Sequence, residues 1–144
     1  MLKNLSVLGY LLMVAGIVSL LANRGLFSLH PAVILVQVAA VVLMIWARWT
    51  LGQRSFHLAA NPTEGGLVTS GPYRFIRHPI YTSILVFVWA GIAAHLSILN
   101  AFFGMVLSGG ASIRVLCEEH LVRIRYPDYD AYALTTKRMI PYIF

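Results

Sequence analysis

Polar side chains that can bind a ligand or move a proton are concentrated in two short stretches of this sequence, each beside an apolar run. The first, residues 67–81, ends in an Arg-His-Pro-x-Tyr pattern at residues 77–81. The second, residues 114–119, holds an arginine and two adjacent glutamates. Carboxylates accept hydrogen bonds, aromatic rings can face a cation, arginine can orient an anion, and His or Glu can take up a proton. Together these residue types could hold a polar ligand beside a reacting group.

Each residue of the first stretch also has a purely structural explanation. Arg74 and Arg77 could be the positive charges that flank a membrane span on its cytoplasmic side. Tyr73 and Tyr81 could belong to an interfacial aromatic belt. His78 could be an interfacial residue before a helix that starts with proline. The residue types alone leave both interpretations open.

The second stretch places a cation and two anions next to the membrane, where unpartnered carboxylates are costly. Arg114 and Glu118 are four residues apart, so they share one helical face. A simple intrahelical salt bridge, with a contribution of a few tenths of a kcal/mol at a surface, is the structural alternative. Glu119 could equally be a solvated interfacial charge.

The composition indicates lipid as the solvent. Of the 144 residues, 59% are hydrophobic and 11% are charged, against roughly 25% charged in soluble domains. The net charge of +6 comes from basic residues scattered among apolar runs, which argues against a nucleic-acid surface. The single cysteine, Cys117, excludes an internal disulfide and a multi-cysteine metal site.

Apolar runs along the chain predict an all-α integral membrane protein with about four transmembrane helices. The first run has 18 uncharged residues and spans about 27 Å as a helix. A polar loop precedes the third run, and a C-terminal amphipathic helical tail follows a break at Tyr126-Pro127. The four predicted spans are residues 5–22, 32–47, 80–94 and 98–113.

These elements predict a single membrane-embedded domain over residues 1–144. Residues 1–51 would form an N-terminal helical hairpin that serves as scaffold. Residues 52–144 would supply the polar loop, a second helical hairpin and the tail. The two chemically interesting stretches both fall in this second part.

The distribution of basic residues predicts the orientation of the chain. The link between the third and fourth spans, residues 95–97, has no Lys or Arg, whereas the middle loop and the tail are basic. Because cytoplasmic loops carry the excess of Lys and Arg, both termini and the polar loop are predicted to be cytoplasmic. The two polar stretches would then share one face of the membrane.

An ordered set of motifs covers residues 67–141, about the second half of the chain. The motifs are Leu-Val-Thr-Ser-Gly-Pro-Tyr at 67–73, Arg-His-Pro-x-Tyr at 77–81, the Glu118-Glu119 pair, Tyr-Pro-Asp-Tyr-x-x-Tyr at 126–132 and Arg-Met-Ile-Pro at 138–141. In order, spacing and membrane setting, this set resembles the isoprenylcysteine carboxyl methyltransferase family. That family lies within a larger group of membrane methyltransferases that includes phospholipid N-methyltransferases. Ser83 departs from the pattern, because the family often has glycine there.

The resemblance implies a cytoplasmic S-adenosylmethionine site and no metal. Arg114 matches a substrate-side arginine, and the implied catalytic residues are Arg114 and Glu118. The implied cofactor-binding residues are Leu67, Val68, Tyr73, His78, Tyr81, Glu118 and Glu119.

The implied acceptor is lipophilic and meets the enzyme among membrane lipids. Arg114 favours an acceptor with a carboxylate, such as a prenylated cysteine or another isoprenoid acid. A phospholipid amine and a thiol remain alternatives, as does a non-catalytic membrane binding module. The sequence does not indicate an oligomeric state.

Overall fold

The computed structural model describes residues 2–52 and 66–140 of the chain. These residues form five α-helices and one 3₁₀ turn, and within these two ranges no β-strand occurs. The helices are α1 Leu2–Ala22, α2 Pro31–Leu51, α3 Pro79–Ala94, α4 Ile98–Arg125 and α5 Tyr129–Thr135, with the 3₁₀ turn at Gly71–Arg74. Residues 53–65, the first part of the predicted polar loop, lie outside the described residues.

Three of the helices, α1, α2 and α4, are long and apolar enough to cross a membrane. The chain is therefore an all-α integral membrane protein. Helix α3 is apolar but has 16 residues, about 24 Å, which is shorter than a typical hydrocarbon core of about 30 Å. The count of four spans stays a prediction.

Helix α4 joins the predicted fourth span to the polar stretch that follows it. Ser97 caps its start, with a side-chain oxygen that accepts from the Asn100 backbone N–H at 3.1 Å. The helix ends at Arg125, before the predicted break at Tyr126-Pro127. Its 28 residues extend about 42 Å, longer than the hydrocarbon core. Helix α4 is therefore long enough to cross an apolar layer and to carry its charged C-terminal turns beyond it.

The helices pair differently from the two hairpins expected from the sequence. Helix α1 packs chiefly along α4, and α2 packs chiefly along α3. Glycines allow the first of these contacts: a Cβ built on Gly9 would lie 2.7 Å from the carbonyl oxygen of Gly110. Small residues let backbones approach in this way in lipid, where packing rather than apolar burial holds helices together. Helix α1 thus packs directly against α4, the helix that carries the glutamate pair.

Replacing Gly110 with alanine tests this backbone contact. A Cβ there would lie 2.5 Å from the Gly9 carbonyl oxygen. We therefore expect overpacking to lower the free energy of unfolding by about 1–3 kcal/mol. Gly109→Ala is the matched control, because a Cβ on Gly109 meets nothing within 4 Å and alanine favours a helix by up to about 1 kcal/mol. Thermal unfolding in detergent should show a lower midpoint for Gly110→Ala alone. Equal midpoints for the two variants would contradict the close α1–α4 packing.

Hydrogen bonds between polar side chains and neighbouring helices also fix the helix packing. Gln37 of α2 is 6% exposed, and its amide donates to the carbonyl oxygens of Leu26 at 2.8 Å and Phe87 at 3.2 Å. The indole N–H of Trp89 in α3 donates to the Ser108 hydroxyl of α4 at 3.1 Å. These bonds satisfy polar groups that would otherwise be costly in an apolar layer. They also set how α3 sits between α2 and α4.

Candidate functional site

Residues 71–81, here called the motif segment, begin at a turn that requires glycine. Gly71 has φ +56°, and a Cβ there would lie 2.5 Å from the Thr50 hydroxyl at the end of α2. The 3₁₀ turn therefore packs directly on α2 and buries Tyr73. The segment then enters α3 at Pro79, the first helical position, where proline needs no N–H partner.

Residues 136–140, here called the C-terminal segment, pair with the motif segment. The backbone N–H of Arg77 donates to the Lys137 carbonyl at 2.7 Å, and that of His78 donates to the Arg138 carbonyl at 2.9 Å. The Lys137 N–H in turn donates to the Phe75 carbonyl at 3.3 Å. Ile76 and Lys137 form an isolated parallel bridge. The predicted C-terminal tail therefore packs against the motif segment.

The first carboxylate of the pair, Glu118, is surrounded by hydrogen-bond donors. One oxygen, Oε1, accepts from the Tyr81 hydroxyl and from Arg114 Nη2 at 3.2 Å. Arg114 Nε also donates to the Tyr81 hydroxyl at 2.7 Å. The second oxygen, Oε2, lies 3.9 Å from His78 Nδ1. The Glu118 side chain is 25% exposed, so this carboxylate is accessible while its neighbours are buried.

The second carboxylate, Glu119, is 6% exposed and is bonded on both oxygens. Oε1 accepts from Arg77 Nε at 3.0 Å and lies 3.2 Å from His78 Nε2. Oε2 accepts from Arg138 Nε at 3.1 Å. Buried carboxylates are tolerated when several donors compensate their lost hydration. Glu118 and Glu119 are adjacent in sequence but face different surroundings.

The structure therefore brings together five of the residues singled out in the sequence: His78, Tyr81, Arg114, Glu118 and Glu119. The predicted contact between residues 114 and 118 forms. Within residues 2–52 and 66–140, no group of three or more His, Cys, Asp or Glu side chains is arranged to hold a metal ion.

Three other sequence candidates, Leu67, Val68 and Tyr73, precede this cluster in the chain, and of these Tyr73 is near enough to Glu118 to feel its charge. Tyr73 is buried in the 3₁₀ turn, and Leu67 and Val68 are half-buried just before it. Burial and the nearby charge of Glu118 raise the pKa of Tyr73, while burial raises the pKa of Tyr132 to about 12. Both phenols therefore stay protonated near neutral pH and can act as donors. Tyr132 does so, donating to the Tyr73 carbonyl at 2.6 Å.

The match to a family model covers more than half of the chain, residues 32–129, and the family is that of isoprenylcysteine carboxyl methyltransferases. The chain belongs to this family. The matched range contains the motif segment and both glutamates, but it excludes α1 and the C-terminal segment.

Among curated proteins, a relative is a nickel-cobalt-cadmium resistance protein, NccN, of Alcaligenes xylosoxydans xylosoxydans. It is 32% identical over 76 residues, which is 52% of this chain. The chain spans 36% of the length of NccN. No solved structure matches the chain.

Some residues of this isoprenylcysteine carboxyl methyltransferase family member reach the site without having been assigned to it from sequence. Arg77 and Arg138 bond Glu119, and the need of a buried carboxylate for cationic partners was the available signal. Tyr10 of α1 places its ring 5.5 Å from the Arg114 guanidinium. Arg48 at the end of α2 is near enough to oppose the pKa rise of Tyr73. The sequence connected neither Tyr10, inside the first apolar run, nor Arg48, just after the second, with the site.

Proposed function

We propose that this protein is a membrane methyltransferase that transfers the methyl group of S-adenosylmethionine to a lipophilic acceptor. The observation that carries the proposal is the partly exposed Glu118 carboxylate, held by Tyr81 and Arg114 inside a member of this family. Such a carboxylate, fixed among buried donors and open on one side, suits recognition of a polar cofactor at the edge of an apolar domain.

The residues of the cluster fit the cofactor. Glu118 Oε2 lies 3.9 Å from His78 Nδ1, longer than a hydrogen bond, so this oxygen can accept from a ribose hydroxyl or an amino group. The rings of Tyr73 and Tyr81 can stack on an adenine or face a cation. Leu67 and Val68 are half-buried and would add apolar contacts. When bound, the cofactor would supply a methyl group on a positively charged sulfur.

Arg114 is the residue we assign to the acceptor side. Its guanidinium is fixed by Tyr81 and Glu118 and lies against the ring of Tyr10. An arginine held in this way can orient an anionic acceptor without reorganising. We therefore favour a carboxylate acceptor, of the isoprenoid or prenylcysteine kind. An ionised carboxylate needs no general base. In the transition state its negative charge and the positive charge of the sulfonium diminish together, and the exclusion of water favours that less charged state over the reactants.

An apolar cleft supports a lipophilic acceptor. It lies between α1, α2 and α3, has a volume of about 210 Å³, and is lined by residues such as Ile17, Val41, Met44 and Phe87. Its walls include Ser83 and Ile84, which follow Tyr81 by two and three residues on α3. The cleft therefore lies within one helical turn of Tyr81 along α3.

Calorimetric titration of the purified protein with S-adenosylhomocysteine tests the proposal, because this product form requires no acceptor. We expect saturable binding with a dissociation constant in the micromolar range, which corresponds to a binding free energy of about −8 kcal/mol. Well-folded protein that showed no binding would overturn the cofactor assignment and favour a non-catalytic module.

We also propose that both termini and the cofactor site face the cytoplasm. A single cysteine in a Cys117→Ser background reports on each side of the membrane. Ser70→Cys lies just before the motif segment, and Leu96→Cys lies in the link between α3 and α4, where the native side chain is 77% exposed. In intact cells, a membrane-impermeant maleimide should label the cysteine at 96 and spare the one at 70. The reverse pattern would show the opposite orientation.

A further inference from the structure

We propose that Glu119 is a positioning residue: its carboxylate clasps the C-terminal segment to the motif segment and so orients His78 beside Glu118. The expected effect of this role on cofactor binding rests on the proposed function. The role differs from the expectation that Glu119 itself lines the cofactor pocket. The clasp is defined as Glu119 with Arg77, His78 and Arg138.

The donors to Glu119 come from two separate parts of the chain. Arg77 and His78 belong to the motif segment, whereas Arg138 belongs to the C-terminal segment. Oε1 serves the motif segment and Oε2 serves the C-terminal segment. One buried carboxylate therefore holds both segments against α4.

Arg77 also bonds the chain around the C-terminal segment directly, without Glu119. Besides its bond to Glu119, its Nη1 donates to the Ala133 carbonyl at 3.0 Å and to the Thr136 carbonyl. The Thr82 hydroxyl of α3 donates to the Met139 carbonyl at 3.0 Å. The C-terminal segment is thus anchored before, at and after Arg138. Because these anchors share neighbours, loss of one is expected to weaken the others.

His78 connects the clasp to the accessible carboxylate. Its Nε2 lies 3.2 Å from Glu119, while its Nδ1 faces Glu118 at 3.9 Å. The partner of one ring nitrogen fixes the orientation of the ring and the role of the other nitrogen. Glu119 therefore determines how the imidazole is presented to Glu118, although its own oxygens are used by protein donors.

A double-mutant cycle tests this role. We expect Glu119→Gln and Arg138→Met each to raise the dissociation constant of S-adenosylhomocysteine about tenfold, and the double variant to be little weaker than either, because both break one unit. Arg138→Lys should restore part of the affinity. Arg123→Met is the matched control, since it removes an exposed α4–α5 ion pair of 2.7 Å, and should leave the constant unchanged.

A different pattern would overturn the clasp. If Glu119→Gln weakened binding while Arg138→Met did not, or if the two losses added, Glu119 would act on the cofactor independently of the C-terminal segment. The Arg138 side chain is 37% exposed, so Arg138→Met is expected to fold. It therefore tests the clasp even if Glu119→Gln does not fold.

A second measurement does not depend on the cofactor. Thr136 is 5% exposed, so Thr136→Cys in a Cys117→Ser background should react slowly with a maleimide. Adding Arg138→Met should speed labelling at least about tenfold if the segment is released, and adding Arg123→Met should not. Unchanged labelling with Arg138→Met would refute the clasp. Faster labelling in a protein that does not bind S-adenosylhomocysteine would support the clasp and refute the proposed function.

Discussion

Replacing Arg114 with lysine should lower the rate of methyl transfer by about 100-fold, the scale of losing one preorganised donor. Arginine Nε donates to Tyr81 while Nη2 donates to Glu118. A lysine keeps the charge but lacks the planar fork that makes both bonds at once. The acceptor would therefore be held less accurately, although the site would remain neutralised. Single-turnover assays with a saturating isotopically labelled cofactor would measure the change.

The affinity for S-adenosylhomocysteine should stay within about threefold in Arg114→Lys, because Glu118 keeps a cationic neighbour. Arg125→Lys is the control, since Arg125 is an exposed residue in the last turn of the same helix. It should change neither quantity. A parallel loss of affinity and rate in Arg114→Lys would place this arginine on the cofactor side and refute our division of the site.

Glu118→Gln should have the largest effect on cofactor binding, raising the dissociation constant of S-adenosylhomocysteine by at least about tenfold. A hydrogen bond to a charged group contributes about 1.5–3 kcal/mol, and an amide offers a weaker, neutral acceptor. The substitution also leaves Arg114, whose side chain is 7% exposed, without a charged partner at Glu118. Calorimetry would measure the affinity, and thermal unfolding would confirm that the variant is folded.

Asp130→Asn provides the matched control for Glu118→Gln. Asp130 pairs with Arg123 at the surface, where the two side chains are 69% and 52% exposed, so its loss should change neither affinity nor stability appreciably. Normal binding by Glu118→Gln would remove Glu118 from the pocket.

Local patterns predicted much of the fold. The apolar runs gave helices at the expected places, since each backbone polar group in lipid must bond within its own segment. Proline at position 79 marked the start of α3, and the break at Tyr126-Pro127 marked the end of α4. The hairpins of consecutive runs expected from the sequence are not the main helix pairs, which are α1 with α4 and α2 with α3. Lipid and helix surfaces are equally apolar, so packing details decide the pairing. The contact between Gly9 and Gly110 is such a detail.

By itself, the sequence determined the all-α membrane class, the family motifs and the Arg114–Glu118 contact, because four residues on a helix fix that distance. Only the tertiary structure decided that adjacent glutamates have different surroundings, with Glu118 accessible and Glu119 buried in a clasp. The same holds for Tyr10, which meets Arg114 through the packing of α1 on α4. The physical reason is that a side chain's exposure and partners depend on segments far away in sequence, whose approach no local pattern encodes.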